Sequence, residues 1–168
     1  MSKAFIICGS PASGKTSYGR KLAKMNNACF LDIDISTEPL VQKALSEYGH
    51  DKDDRDSEYF KKTYREVIYK TIFDSARENL QWTDVVIVGP FTHELKIKSW
   101  PEKLTFELGS EVEIHYIYCK SDERRQRIIK RNSDRDKAKL INWEKVNTYY
   151  GDELPPPFEH VFVDTSSK

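Results

Sequence analysis

Residues 8–18 read "CGSPASGKTSY". Gly9, four intervening residues, then Gly14, Lys15 and Thr16 have the spacing of a loop that wraps phosphate groups. Glycines there let backbone N–H groups turn inward, and the following helix presents its positive N-terminal end to the anion. In such a loop Gly9, Pro11, Ala12, Ser13, Gly14, Lys15, Thr16 and Ser17 would surround a nucleoside triphosphate. The Lys15 ammonium would reach the β- and γ-phosphates, and the Thr16 hydroxyl would ligate Mg2+. The loop alone leaves open where the terminal phosphate goes, because kinases, partner-driving hydrolases and switches all use it.

Motor ATPases place an acid directly after an apolar strand. Here "VVIV" at 85–88 is followed by Gly89 and Pro90. Attention shifts to "DID" at 32–34. On an extended chain residues two apart project to one side, which would aim Asp32 and Asp34 together at the phosphates. Like charges this close favour a bound cation or a hydroxyl donor. A kinase wants such a pair: Asp32 to order a magnesium water, Asp34 to accept the proton of an attacking hydroxyl. A plainer role for Asp34 is to cap a turn.

Arg124, Arg127, Arg131 and Arg135 are spaced three, four and four. On one continuous helix they form a basic stripe. In a small kinase the stripe would be a lid, over roughly 124–137, that neutralises charge in the transition state. Arg127 and Arg131 would then be catalytic, and Arg124 and Arg135 would hold nucleotide. A solvated face softened by Asp122, Glu123, Asp134 and Asp136 is the alternative. On the acceptor side, Arg55 in "DDRDS" suits an anionic or polyhydroxyl substrate. Arg65 is a weaker candidate, and Gly89, Phe91 and Thr92 follow the apolar strand as further acceptor contacts. Thr165 leaves the last strand where an adenine would lie.

The elements that must position these groups alternate. Strands are expected at "KAFIIC", "ACFLDID", "DVVIVGPF", "EVEIHYIYC" and "HVFVDTS". Helices are expected from Gly14 to about Asn26, from an N-cap at Thr37, and from Ser57 to Leu80. The last carries an apolar stripe of Phe60, Tyr64, Val67, Ile68, Ile72, Ala76 and Leu80. Another is expected across "HELKIKSWPEKLTFELG", broken at Pro101, one after a Ser121 cap, and one across "DRDKAKLINWEKVNTYYG". This alternation implies a three-layer α/β fold, a parallel sheet with helices on both faces. Ligands of such sheets bind at the carboxyl ends of the strands, and every chemically interesting stretch follows a strand.

At 168 residues the chain suits one domain, 1–168, with one sizeable core. Basic and acidic residues balance at 27 each, which argues against nucleic acid or an anionic membrane as partner. No apolar run reaches a membrane span, and "MSKAFIICG" reads as a start residue leading into a strand, not as a secretory signal. Cys8, Cys29 and Cys119 lack metal spacing and read as reduced thiols of a cytoplasmic protein.

The combination "GSPASGKT", "FLDIDISTEPL", "DDRDS", "VVIVGPFT" and "RRQRIIKRNSDRD" resembles the small P-loop kinase-like proteins often called AAA-family ATPases. Shikimate, gluconate and adenylylsulfate kinases and the zeta-type toxins are related in build. The resemblance implies a P-loop NTPase fold with five parallel strands in the order 2-3-1-4-5 and an arginine-rich lid after the fourth. It also implies phosphoryl transfer from ATP, with Mg2+, to a small-molecule hydroxyl or phosphate acceptor, by a monomer or homodimer. The chain lacks both the glycine triplet of shikimate kinases after the third strand and the Asp-Gly-Phe-Pro-Arg of nucleoside monophosphate kinases. Two other readings stand beside the small-molecule kinase. One is a kinase for a nucleotide, a nucleic-acid end or a nucleotide-sugar. The other is a regulatory ATP-binding protein with weak hydrolysis.

Overall fold

The computed structural model describes residues 1–149 and 154–167, without the side chains of 135, 138 and 149. Five strands form one sheet in the order β2-β3-β1-β4-β5. They are β1 (Lys3–Cys8), β2 (Cys29–Asp32), β3 (Val85–Val88), β4 (Glu111–Tyr118) and β5 (Val161–Asp164). All pairings are parallel. β1 lies at the centre, and its residues alternate between the two faces as an extended chain requires. Ala4, Ile6 and Cys8 join the core on one face with Val85, Ile87, Ile114 and Tyr116. Phe5 and Ile7 join the core on the other with Val86, Val88 and Ile117.

The second face is covered by α1 (Lys15–Asn26), which contributes Ala23. Gly19 lets this helix settle on the sheet, since a Cβ there would lie 2.6 Å from Val88 Cγ2 and 3.2 Å from Phe30 Cε2. The first face is covered by α2 (Ile33–Glu47), α3 (Glu58–Leu80) and α4 (Trp100–Leu108), which bring Leu45, Ile72, Phe73 and Leu104 into the core. Beyond β4 come α5 (Ser121–Arg131), a 3-10 turn at Asp134–Asp136, α6 (Lys137–Ile141) and α7 (Trp143–Tyr149). Among the described residues no helix is long and apolar enough to cross a membrane.

Several helix boundaries differ from the sequence reading, each through a side chain or a turn. α2 starts four residues before Thr37, because Asp32 caps it by accepting from the backbone N–H groups of Asp34 and Ile35. Thr37 is buried inside the helix, its hydroxyl donating to the Ile33 carbonyl at 2.7 Å. Pro101 sits in the first turn of α4 instead of breaking it, as the freedom from an N–H partner there allows. Ser121 is the first residue of α5 and not its cap, and its hydroxyl donates to Asn147 Oδ1 at 2.9 Å. Ser57 does cap α3, accepting from Phe60 N–H at 3.0 Å. On α3 Val67 is exposed, outside the apolar stripe expected to hold it.

Gly19→Ala should therefore destabilise the protein although alanine favours helix by about 1 kcal/mol. Overpacking against Val88 and Phe30 costs about 1–3 kcal/mol and decides the sign. A urea titration checks this: the midpoint should fall, and a rise would mean that α1 does not rest on the sheet at Gly19.

Candidate active site

The carboxyl ends of three strands meet at one level. Ile7 of β1 stands opposite Val88 of β3, and Val88 stands opposite Asp32 of β2. The loop after β1, the first turn after β2 and the Gly89–Pro90 turn after β3 therefore share one edge of the sheet. A cavity of about 350 Å³ opens there, walled by Pro11, Gly14 to Ser17, Asp32 and Asp34 on one side. Arg55, Arg65, Tyr69, Gly89 and Thr92 face it from the other.

The glycine loop takes backbone conformations that suit glycine. Gly9 has φ 137° and Gly14 has φ 99°. A Cβ on Gly9 would lie 2.3 Å from the Ile117 carbonyl oxygen, so the loop can pass over β4 only without a side chain. Ala12 also adopts positive φ, at 60°. Ser13 is fully buried and its hydroxyl has no hydrogen-bond partner among the described residues. Lys15 Nζ donates back to the Ser10 carbonyl at 2.8 Å.

Asp32 and Asp34 do not project together from a strand, as their spacing suggested. Asp32 ends β2 and caps α2, while Asp34 lies in the first turn of that helix. Both line the cavity. The Asp32 carboxylate is buried, with Oδ1 accepting from Asp34 N–H at 3.0 Å and from Ile35 N–H at 3.2 Å. Its Oδ2 accepts from the Thr16 hydroxyl at 2.8 Å.

The arginine stripe is divided. α5 ends at Arg131 and Asn132 turns left-handed at φ 47°, so Arg135 is on no common helix with the others. The Arg135 side chain lies outside the described residues. Arg124 is buried, a correction to its expected place on the nucleotide. Its Nε donates to the Cys119 carbonyl at 3.1 Å, its Nη2 donates to Asn147 Oδ1 at 3.0 Å, and its guanidinium lies over the Trp143 ring. It is first-turn mortar between β4 and α7. Arg127 lines the cavity but donates to the Ala12 carbonyl at 3.3 Å and to Thr165 Oγ1 and O at 3.0 and 2.6 Å. Thr165 in turn donates its hydroxyl to the Ser13 carbonyl at 2.6 Å, which ties the exit of β5 to the glycine loop. Arg131 lines the cavity and pairs with Asp136.

Phe91 is the second correction. Gly89, Pro90 and Thr92 line the cavity, but Phe91 turns to φ 45° and is fully buried. Its ring stacks with Phe73 at 6.1 Å and meets Trp100 at 5.3 Å. Gly89 owes part of its identity to this turn, since a Cβ would fall 2.4 Å from Ile33 Cδ1 and 2.8 Å from Phe91 Cε2.

A family model described as an AAA domain matches residues 5–151, most of the chain. The chain belongs to the AAA domain family. This AAA domain is 40% identical over 47 residues to a shikimate kinase from Salinispora tropica, a stretch spanning only 28% of each chain. It superposes on a sugar kinase from Janibacter sp. HTCC2649 with a TM-score of 0.62 at 14% identity, covering 98% of this chain and 86% of that one. A gluconokinase from Sinorhizobium meliloti 1021 gives 0.57 at 15%, covering 98% and 82%. A shikimate kinase from Bacteroides thetaiotaomicron gives 0.51 at 18%, covering 94% and 83%. At these identities the likeness is one of fold, a kinase-like P-loop fold.

Several cavity residues of the AAA domain had no sequence signal of their own. Tyr69 joins Arg65 one turn along α3, and Arg65 pairs with Glu94 at 3.0 Å. Burial, with Glu94 nearby, pushes the Tyr69 phenol up to about 12, so it stays a hydrogen-bond donor at neutral pH. Asp56, Asp136 and Lys139 also reach the cavity. A polar face of α3 at Lys61, Arg65 and Tyr69, spaced four and four beside the apolar stripe, was the one available hint.

Burial pushes the Lys15 ammonium down to about 8, against the pull of Asp34, the strongest of the charges that hold it up. An unfolded lysine titrates near 10.4, so between these values the unfolded chain binds more protons and folding gains with rising pH. Below about pH 8 the buried charge opposes folding in full; above the unfolded value it no longer does. The stability of Lys15→Met relative to wild type should accordingly be greatest at pH 7 and shrink by pH 10 in parallel urea titrations. A difference that does not change with pH would show that Lys15 is not held in this desolvated state.

Proposed function

We propose that this AAA domain is a P-loop kinase that moves the γ-phosphate of ATP to a hydroxyl or phosphate of a small, anionic or polyhydroxyl acceptor. The observation that carries the reading is the single cavity that holds the phosphate loop, Asp34, Arg55 and Arg65 together. A hydrolase needs room only for its nucleotide and a water; here the space continues past Asp34 to a wall with cationic and aromatic groups.

The residues present fit ATP and Mg2+. The buried Ser13 hydroxyl has no partner among the described residues, Gly9 and Gly14 hold the open loop conformation, and Lys15 carries a desolvated ammonium. The hydroxyl of Thr16 and the carboxylate of Asp32 form the donor set of a hard cation that also takes phosphate oxygens. When bound, Mg·ATP supplies the transferable phosphoryl group.

The remaining chemistry belongs to the chain. Lys15 and Arg131 offset negative charge that grows on the phosphoryl oxygens. Arg127 holds the loop and the β5 exit in one arrangement and leaves less of its charge for the reaction. Asp34 accepts the proton of the acceptor's hydroxyl. Arg55 and Arg65 orient the acceptor. Tyr69 donates a hydrogen bond from the same wall.

A coupled ADP-release assay across pools of phosphorylated and carboxylated polyols tests the reading, with Lys15→Ala as the blank. One pool should raise ADP release well above the acceptor-free rate. With that acceptor, Asp34→Asn should lower turnover about 100-fold or more and keep ATP affinity within about twofold. Wild-type turnover in Asp34→Asn would remove Asp34 as the base, and ADP release indifferent to every acceptor would instead favour the weak hydrolase.

A further inference from the structure

Arg131 is joined to the acceptor-side loop by a chain of charges that the phosphate loop does not use. Arg131 Nε donates to Asp136 Oδ2 at 2.8 Å, and Nη2 lies 2.5 Å from the same oxygen. The other oxygen, Oδ1, lies 3.8 Å from Lys139 Nζ. Lys139 Nζ reaches Asp56 Oδ2 at 2.8 Å, in the loop that leads to α3. All four residues line the cavity.

The burial of Asp136 singles it out. Its side chain is 2% exposed, whereas that of Arg131 is 43% exposed. On a continuous helix residue 136 would stand about 140° around the axis from residue 131. The left-handed Asn132 ends α5 and lets the chain double back, which brings the Asp136 carboxylate against the guanidinium. A buried carboxylate is costly to desolvate, and ion pairs of this kind add little net stability over apolar packing. What this one does supply is orientation. Through one oxygen it holds the Nε and Nη2 edge of the planar fork, by a hydrogen bond from Nε and an ion-pair contact at Nη2, and among the described residues it leaves the Nη1 edge of a cavity-lining side chain for a ligand.

We propose that Asp136 is a positioning residue: it holds the Arg131 guanidinium toward the transferring phosphoryl group. Lys139 anchors the same carboxylate to the acceptor-side loop through Asp56. This rests on the kinase reading, in which Arg131 offsets charge in the transition state. Asp136 touches no reactant and acts only through Arg131.

The test uses the full chain with ADP alone, and with ADP, Mg2+ and aluminium fluoride, a mimic of the phosphoryl group in flight that needs no acceptor. Calorimetry gives both affinities for wild type, Arg131→Ala, Asp136→Ala, the near-isosteric Asp136→Asn, Asp136→Glu and the double alanine variant. Wild type should bind the fluoride complex more tightly than ADP. Arg131→Ala and Asp136→Ala should each lose about tenfold or more of that gain, with ADP affinity kept within about twofold. The double variant should lose no more than either single one. Asp136→Glu should keep most of the gain, and Asp136→Asn should lose several-fold of it, which covers the case of an alanine variant that does not fold. The proposal is overturned if Asp136→Asn keeps the wild-type gain, if ADP and the fluoride complex weaken together, or if the single losses multiply in the double variant. A wild type that shows no gain at all overturns the kinase reading itself, and this proposal with it.

Discussion

The Asp32 carboxylate is the point on which both the fold and the site depend. One oxygen accepts two backbone N–H groups and starts α2. The other accepts the Thr16 hydroxyl from the first turn of α1. A single buried group thus fixes two helix N-termini against the end of β2, and β2 is registered to β3 and β1 by the sheet. Two helix dipoles then point their positive ends toward one cavity edge. The placement of Asp34 follows. Because α2 begins directly after Asp32, Asp34 sits in its first turn, facing the cavity beside Lys15, whose ammonium feels its charge more than that of any other carboxylate. Had the helix begun at Thr37, Asp34 would have stayed on extended chain and the phosphate edge would have lost a helix terminus.

The arginines show how one residue type serves three ends. A guanidinium has five N–H donors, and each that leaves water needs an acceptor. Arg124 spends its donors on the end of β4 and on α7. Arg127 spends them on backbone carbonyls of the glycine loop and the β5 exit. Arg131 meets a buried carboxylate. A bare stripe of like charges would repel itself; local acceptors remove that cost and give each side chain a fixed direction.

What could be read from the residues was what is local. The five strands announce themselves through apolar runs, and the phosphate loop through glycine spacing followed by an amphipathic helix; sheet order came with the family resemblance, not with the pattern. The start of α2 could not be read, because its cap is the last residue of a strand while Thr37 and Pro39 imitate a later start. Phe91 could not be read either. A bulky residue at positive φ leaves no mark in sequence, and the reversal that sends Phe91 into the core while Thr92 faces the cavity is set by Phe73, Trp100 and Ile33 around it. Asp136 and Lys139 were hidden for a related reason. Their reach into the site depends on the turn at Asn132, and a continuous helix would have sent them elsewhere. Tyr69, one turn beyond the Arg65 that the residues did suggest, borders the core stripe of α3, where periodicity marks a buried face without saying whether core or cavity covers it.

The far wall of the cavity carries both signs. Arg65 is matched by Glu94, Lys139 by Asp56, and Arg131 by Asp136. This matters for selectivity. A wall of unmatched cations would attract any polyphosphate, including a second copy of the donor, and would lose its grip steeply as salt rises. Where its cations are matched, the wall presents less of that general attraction. An incoming anion gains only what its own geometry adds over the carboxylate already in place, so a poorly shaped one gains nothing. Desolvation sharpens the difference most at Asp136, the one of the three carboxylates with a buried side chain, because disturbing its pair without replacement leaves that charge uncompensated. On the kinase reading, discrimination in this cavity would arise from competition with built-in carboxylates, with Glu94, Asp56 and Asp136 shaping the acceptor's fit as much as the basic residues do.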